Sequence, residues 1–285
     1  MQAGNIICNL CQLFLRKPKL CFLIIFSARL SANSVKYKPL AASGKCKPTS
    51  GNLKMTEIKN IANWKELIQF AENGDSVAQY EVGAYFDSGL SINEEEIIKE
   101  DKLEALQWFQ QSHKNGNIDA TIRVADYLSD GEHCEKNVEL AIELYKRGID
   151  KGYSYAAKNL ATLYLDSYDF ETSFEFYQIA QKLDKTNLIE LALCYHFGLG
   201  TKKDKFKAFD IFQNISNDNS FFRNCEYEIE EANYYLGIYY LEGEVVKKSI
   251  DKARQYLAKA NEDNDHRSAN ELLLIIGRNG AGETH

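Results

Sequence analysis

The chain has 285 residues, 45% hydrophobic and 26% charged, the proportions of an ordinary globular protein of one or two domains. Its formal charge of −7 is unevenly spread. Residues 1–54 hold nine Lys or Arg and no Asp or Glu, leaving 25 basic against all 41 acidic residues on the remainder, a formal −16. A body so acidic repels phosphates and disfavours nucleic acid as a partner.

Residues 1–54 differ from the rest in kind. They carry all three prolines (Pro18, Pro39, Pro48) and four of the seven cysteines. Met55 opens "MTEIKNIANWKELIQF", where acidic residues and helical periodicity begin together. This coincidence leads to the expectation that 1–54 is a basic, non-globular extension and that Met55 is the natural start, which places the protein in the cytoplasm. The competing reading takes "LCFLIIFSA", preceded by Arg16, Lys17 and Lys19, as part of a secretory or organellar targeting segment. Its nine residues fall far short of the ~20 needed to span a bilayer, so no stable membrane insertion is expected.

From residue 55 onward there is no proline, which suits a body made of helices. Cys134, Cys194 and Cys225 are odd in number and share no register, a pattern of reduced thiols rather than regular disulfides. "NWKELIQFAENG", residues 63–74, reads as a lone second helix serving as an amino-terminal cap. "AQYEVGAYFDSG", residues 78–89, then sets out Ala78, Val82, Gly83, Phe86 and Gly89 at offsets of zero, four, five, eight and eleven. The offsets recur at Ala120, Val124, Ala125, Leu128 and Gly131, and again from Ala156, Asn187 and Ala232, with a degenerate copy from Ala269 to Gly277. Each full copy is followed by a second signature. Ala105, Trp108, Phe109 and Ser112 form the first, and Ala253, Tyr256, Leu257 and Ala260 the fifth. Offsets of zero, four and eight align small, aliphatic and aromatic side chains on one helix face. A glycine one step further lets backbones approach closely, and the terminal glycine suits a helix C-cap. Asp101, Asn137, Asp169 and Asp204 stand where a second helix needs an N-cap.

This order, Ala-x-x-x-Leu-Gly-x-x-Tyr-x-x-Gly and then Asp-x-x-x-Ala-x-x-Trp-Tyr-x-x-Ala, resembles the Sel1 repeat, a relative of the tetratricopeptide repeat. The resemblance implies an all-α, right-handed α-solenoid of stacked antiparallel helix pairs. About five repeats with capping helices would occupy residues 55–277, followed by a flexible tail at 278–285. It also implies a non-catalytic scaffold or adaptor that binds a protein or peptide in its concave groove, in signalling or complex assembly, without a cofactor. Three departures stand out. "LSINEEEIIKED" inserts an acidic loop after Gly89, "LDSYDF" shortens the third copy, and "SNDNSFFRNCEYEIEE" lengthens the stretch between copies four and five.

Catalytic and metal-binding patterns are sparse. His133 and Cys134 are adjacent and lack the spacing of a zinc site. "GLGTKK", from Gly198, lacks P-loop spacing. Ser249 and Lys252 form a Ser-x-x-Lys without the accompanying elements of penicillin-recognising enzymes, so a helix cap is expected there; a cell-wall or β-lactam hydrolase is the competing class. In stacked arrays the first helices line the concave side, which makes Glu81, Tyr85, Arg123, Tyr127, Asn159, Glu190, Tyr235 and Tyr239 the expected contacts for a partner protein or peptide. The negative body favours a basic one.

Overall fold

The computed structural model describes residues 58, 60–92, 95–217 and 226–280. The 1–54 extension with its Met55 boundary, Cys225, and residues 281–285 of the expected tail lie outside the described residues. The chain divides into two compact units, the first ending at Asp169 and the second beginning at Phe170.

The first unit contains α1 (Ile61–Glu72), α2 (Ser76–Ser88), β1 (Leu90–Ile92), β2 (Glu95–Ile98), α3 (Lys102–Lys114), α4 (Ile118–Asp130), α5 (Val138–Asp150) and α6 (Ser154–Asp166). The second contains α7 (Phe170–Asp184), α8 (Ile189–Phe197), α9 (Lys205–Ser216), α10 (Glu226–Glu242), α11 (Ile250–Ala260) and α12 (Arg267–Gly280). Within each unit consecutive helices pack on one another, the arrangement of an α-solenoid. The third copy is divided, its first helix α6 ending one unit and its second helix α7 opening the next. Its turn is only Ser167, Tyr168 and Asp169, with Tyr168 at φ 64°.

Helix boundaries follow the capping chemistry. The Asp101 carboxylate accepts from the N–H groups of Leu103 and Glu104. Asn137 caps α5 through Leu140, and Asp204 caps α9 through Lys207. Each side chain thus satisfies amides that have no intrahelical acceptor. Gly131 and Gly198 end α4 and α8 in the left-handed conformation.

The core lies between paired helices. Val82, Ala105, Phe109, Ala120, Ala141, Leu160, Leu191, Phe212, Leu236 and Leu257 are buried. The small residues of the two signatures meet each other. A Cβ on Gly83 of α2 would stand 2.9 Å from the Phe109 ring and 3.2 Å from the Ala105 carbonyl of α3. One on Gly237 of α10 would stand 2.7 Å from Leu257 Cγ and 3.4 Å from the Ala253 carbonyl of α11. The glycine of one helix therefore faces the alanine of its partner, and backbone approaches backbone.

Two departures take defined form. The insertion after Gly89 is an antiparallel β-hairpin rather than a projecting acidic loop. Ile98 is buried in it, and Leu90, Ile92 and Ile97 pack on the cluster formed by α1 and α2. Its apolar residues hold it against the body while Glu95 and Glu96 remain exposed. The second departure appears in α10, which reaches 17 residues where α2, α4 and α6 have 13. α12 continues to Gly280, past the expected end of the capping helix at 277.

Because an added methyl would meet Leu257 at 2.7 Å, Gly237→Ala overpacks this contact. Urea unfolding of the full chain should show a loss of about 1–3 kcal/mol.

Candidate functional site

The residues expected to line the first-helix face divide between the units, and the structure places them differently. In the first unit Tyr85 is only 3% exposed, because Trp64 of α1 packs edge-on against it at 5.9 Å. Phe86, expected in the core, is half-buried instead and also meets Trp64. Glu81 is buried. The cap helix covers this end of α2, so the face read as open there is closed.

Further along, Arg123, Tyr127 and Asn159 are brought together by two carboxylates that sequence reasoning passed over, Asp87 and Asp126. Arg123 Nη2 lies 2.6 Å from Asp87 Oδ2, and its Nη1 lies 3.0 Å from Asp126 Oδ2. The buried Tyr127 hydroxyl donates to Asp87. Asp126 Oδ1 accepts from Asn159 Nδ2 at 2.8 Å and from the Tyr145 hydroxyl at 2.7 Å. Lys102 Nζ approaches Asp87 Oδ1 at 3.3 Å. The network ties α2 to α4 and α4 to α6, joining three first helices.

Its electrostatics follow from burial and pairing. Burial alone would lower the Arg123 pKa, but Asp87 and then Asp126 raise it, so the guanidinium stays charged. Burial raises the Asp126 pKa, against the lowering influence of Arg123, Tyr145 and Asn159. The Arg123 and Asp126 side chains remain 17% and 21% exposed, while Asp87 is 6% exposed. The network is thus mostly neutralised, its charged groups engaged with one another while the Arg123 and Asp126 side chains stay partly accessible.

In the second unit Glu190 is buried and Tyr239 is fully buried. Tyr239 belongs to an aromatic cluster rather than to an open face. Its hydroxyl hydrogen-bonds His196 Nδ1 at 2.6 Å, and Phe209 packs edge-on against its ring. Tyr235 is half-buried and stacks on Phe212 at 4.9 Å with planes 6° apart. The His196 pKa is pushed down to about 3 by burial, then by Lys205 and Lys203, so the ring is neutral at physiological pH.

Ser249 is the N-cap of α11, its Oγ accepting from Lys252 N at 3.3 Å. The Lys252 ammonium stands 5.1 Å from the centre of the Tyr240 ring. Cys134 and Cys194 are free thiols, and the Cys134 Sγ contacts the Tyr127 carbonyl at 3.3 Å. Among the described residues no group of three or more His, Cys, Asp or Glu could hold a metal ion, and no helix is long and apolar enough to cross a membrane.

Breaking the polar network strands buried charge. Arg123→Ala should cost about 3 kcal/mol in denaturant unfolding, because Asp87 is left without its guanidinium partner. His196 gives a pH signature. The unfolded chain takes up its proton near 6.5 and the folded chain near 3. Between those values the unfolded state binds more protons, so stability falls as the pH is lowered from 6.5. Its slope should reach about 1.4 kcal/mol per pH unit for this group, and His196→Gln should remove one proton's worth of the slope.

The Sel1 repeat family model matches residues 76–117, 118–153, 188–217 and 230–265, just over half of the chain. It passes over 154–187, the third copy, whose two helices the structure assigns to different units. Solved structures similar to this chain include the following two. A protective antigen present in uropathogenic Escherichia coli strains, displaying an SLR fold, is 25% identical with a TM-score of 0.59 over 75% of this chain. This chain spans 44% of that protein's length. A Sel1 repeat protein from Oxalobacter formigenes is 17% identical with a TM-score of 0.57, covering 76% of this chain and 87% of its own. Sel1 repeat proteins are generally non-catalytic protein-interaction scaffolds. With four matched repeats and helix pairs built on the same spacing, this chain belongs to the Sel1 repeat family.

Proposed function

We propose that this protein is a non-catalytic adaptor whose first-helix face binds a peptide or partner protein, in signalling or in the assembly of a complex. The observation that carries this reading is the Asp87–Arg123–Asp126–Asn159 network. Small and apolar residues suffice for helix pairing, yet α2, α4 and α6 carry charged and amide groups tied across three repeats. Arg123 and Asp126 are partly accessible and already held in place by the network, which lowers the ordering cost of binding an extended peptide. Tyr127 holds Asp87 within the network, while Glu81 and Tyr85 lie under the cap helix. In the second unit Tyr235 is the half-exposed ring on the corresponding helix, and Glu190 and Tyr239 are buried.

The formal charge of −16 on the remainder of the chain favours a basic partner and accelerates encounter more than it tightens the complex. The free thiols of Cys134 and Cys194 suit a reducing compartment, in keeping with a cytoplasmic location.

Asn159→Arg places a long cation beside Arg123 on a partly exposed position. Affinity capture from native lysate at low and moderate salt should retain a specific partner on the wild-type chain. Capture should fall about tenfold with the variant, a difference of roughly 1.4 kcal/mol, while circular dichroism stays unchanged. A partner retained equally by both proteins contradicts the groove reading, as does the absence of any partner at either salt concentration.

A further inference from the structure

We propose that the β-hairpin and the cap helix of the first unit form a second docking point, outside the first-helix face, which takes one large apolar side chain from a basic peptide segment of a partner. The hairpin lies between the two signatures of the first copy and contributes nothing to the repeat spacing. Its apolar residues build an open cavity of about 350 Å³ against α1 and α2. Trp64, Phe86, Ile97 and Ile98 supply the apolar lining, with Glu100 and Asp101 on the polar side beside Lys99.

The dimensions and chemistry select the occupant. The volume is at the lower end of small-ligand pockets, which run from about 300 to 1,000 Å³, and suits a single large side chain. Trp64 and Phe86 are both half-buried, with rings 5.7 Å apart and nearly perpendicular. They offer an aromatic surface of the kind that anchors interfaces. The cavity's own lining sets Lys99 against Glu100 and Asp101, and the rest of β2 adds the exposed Glu95 and Glu96, so the hairpin is acidic on balance. The Asp101 carboxylate is already engaged in capping α3, and Lys102 is held by Asp87 and Glu100. A segment with Lys or Arg on both sides of an aromatic residue therefore matches the cavity in shape and the hairpin in charge, whereas an acidic segment is repelled.

The test is isothermal titration calorimetry on the full chain at low salt with an acetylated, amidated Lys-Arg-Phe-Lys-Arg peptide. Lys-Arg-Gly-Lys-Arg and Glu-Asp-Phe-Glu-Asp serve as controls. Saturable binding is expected for the first peptide, about tenfold weaker binding for the glycine peptide, and none for the acidic one. Glu95→Lys combined with Glu96→Lys alters only exposed groups and should weaken the first peptide about tenfold. Trp64→Leu should bring it to the level of the glycine control. No saturable binding at millimolar peptide overturns the proposal. Equal affinity for the phenylalanine and glycine peptides, or binding indifferent to the charge-reversed variant, also overturns it. Asn159→Arg leaves this site intact, so loss of groove binding and loss of peptide binding remain separable results.

Discussion

A helix pair in this protein closes only because small residues face each other across it. Gly83 lies against the Ala105 backbone and the Phe109 ring, and Gly237 lies against Leu257 and the Ala253 backbone. With the backbones so close, the larger side chains at neighbouring positions, Val82, Leu160, Phe212 and Leu236 among them, are buried. A single pair cannot cover these side chains by itself, so stacking is obligatory. The amino-terminal cap helix is a consequence of that constraint.

At the amino-terminal end no preceding repeat covers α2, and α1 fills that place through Trp64. The same ring closes over Tyr85 and leaves Phe86 half-buried. In the middle of the first unit the first helices carry a ladder in which each buried charge has a partner. Asp87, Arg123, Asp126 and Asn159 satisfy one another across three helices. Buried ionic groups of this kind are poor sources of net stability compared with apolar packing, and their presence where packing does not require them is the reason to regard this face as functional.

The repeat was legible because packing has a period. Small, aliphatic and aromatic residues at fixed offsets, and Asp101, Asn137, Asp204 and Ser249 at the caps, state the helix pairs directly. The hairpin was not legible, since "LSINEEEIIKED" reads as charge, and the few apolar residues that seat it gain their meaning only beside Trp64. The open face was misjudged for a related reason. An offset from Ala78 or Ala232 tells which side of a helix a residue occupies but not what covers that side, and Trp64 and the His196 cluster cover Tyr85 and Tyr239. The repeat offsets point to Arg123 and Asn159 but not to Asp87 and Asp126. Asp126 stands three residues after Arg123, the spacing of a helical ion pair, whereas Asp87 lies in another repeat.

The most direct measurement of the central claim is hydrogen–deuterium exchange of the full chain with and without its captured partner. Binding on the first-helix face predicts slowed exchange concentrated in Ile118–Asp130 and Ser154–Asp166, the helices that carry Arg123 and Asn159. Slowed exchange confined to Lys102–Lys114 and Val138–Asp150, with the first helices unchanged, would contradict the account.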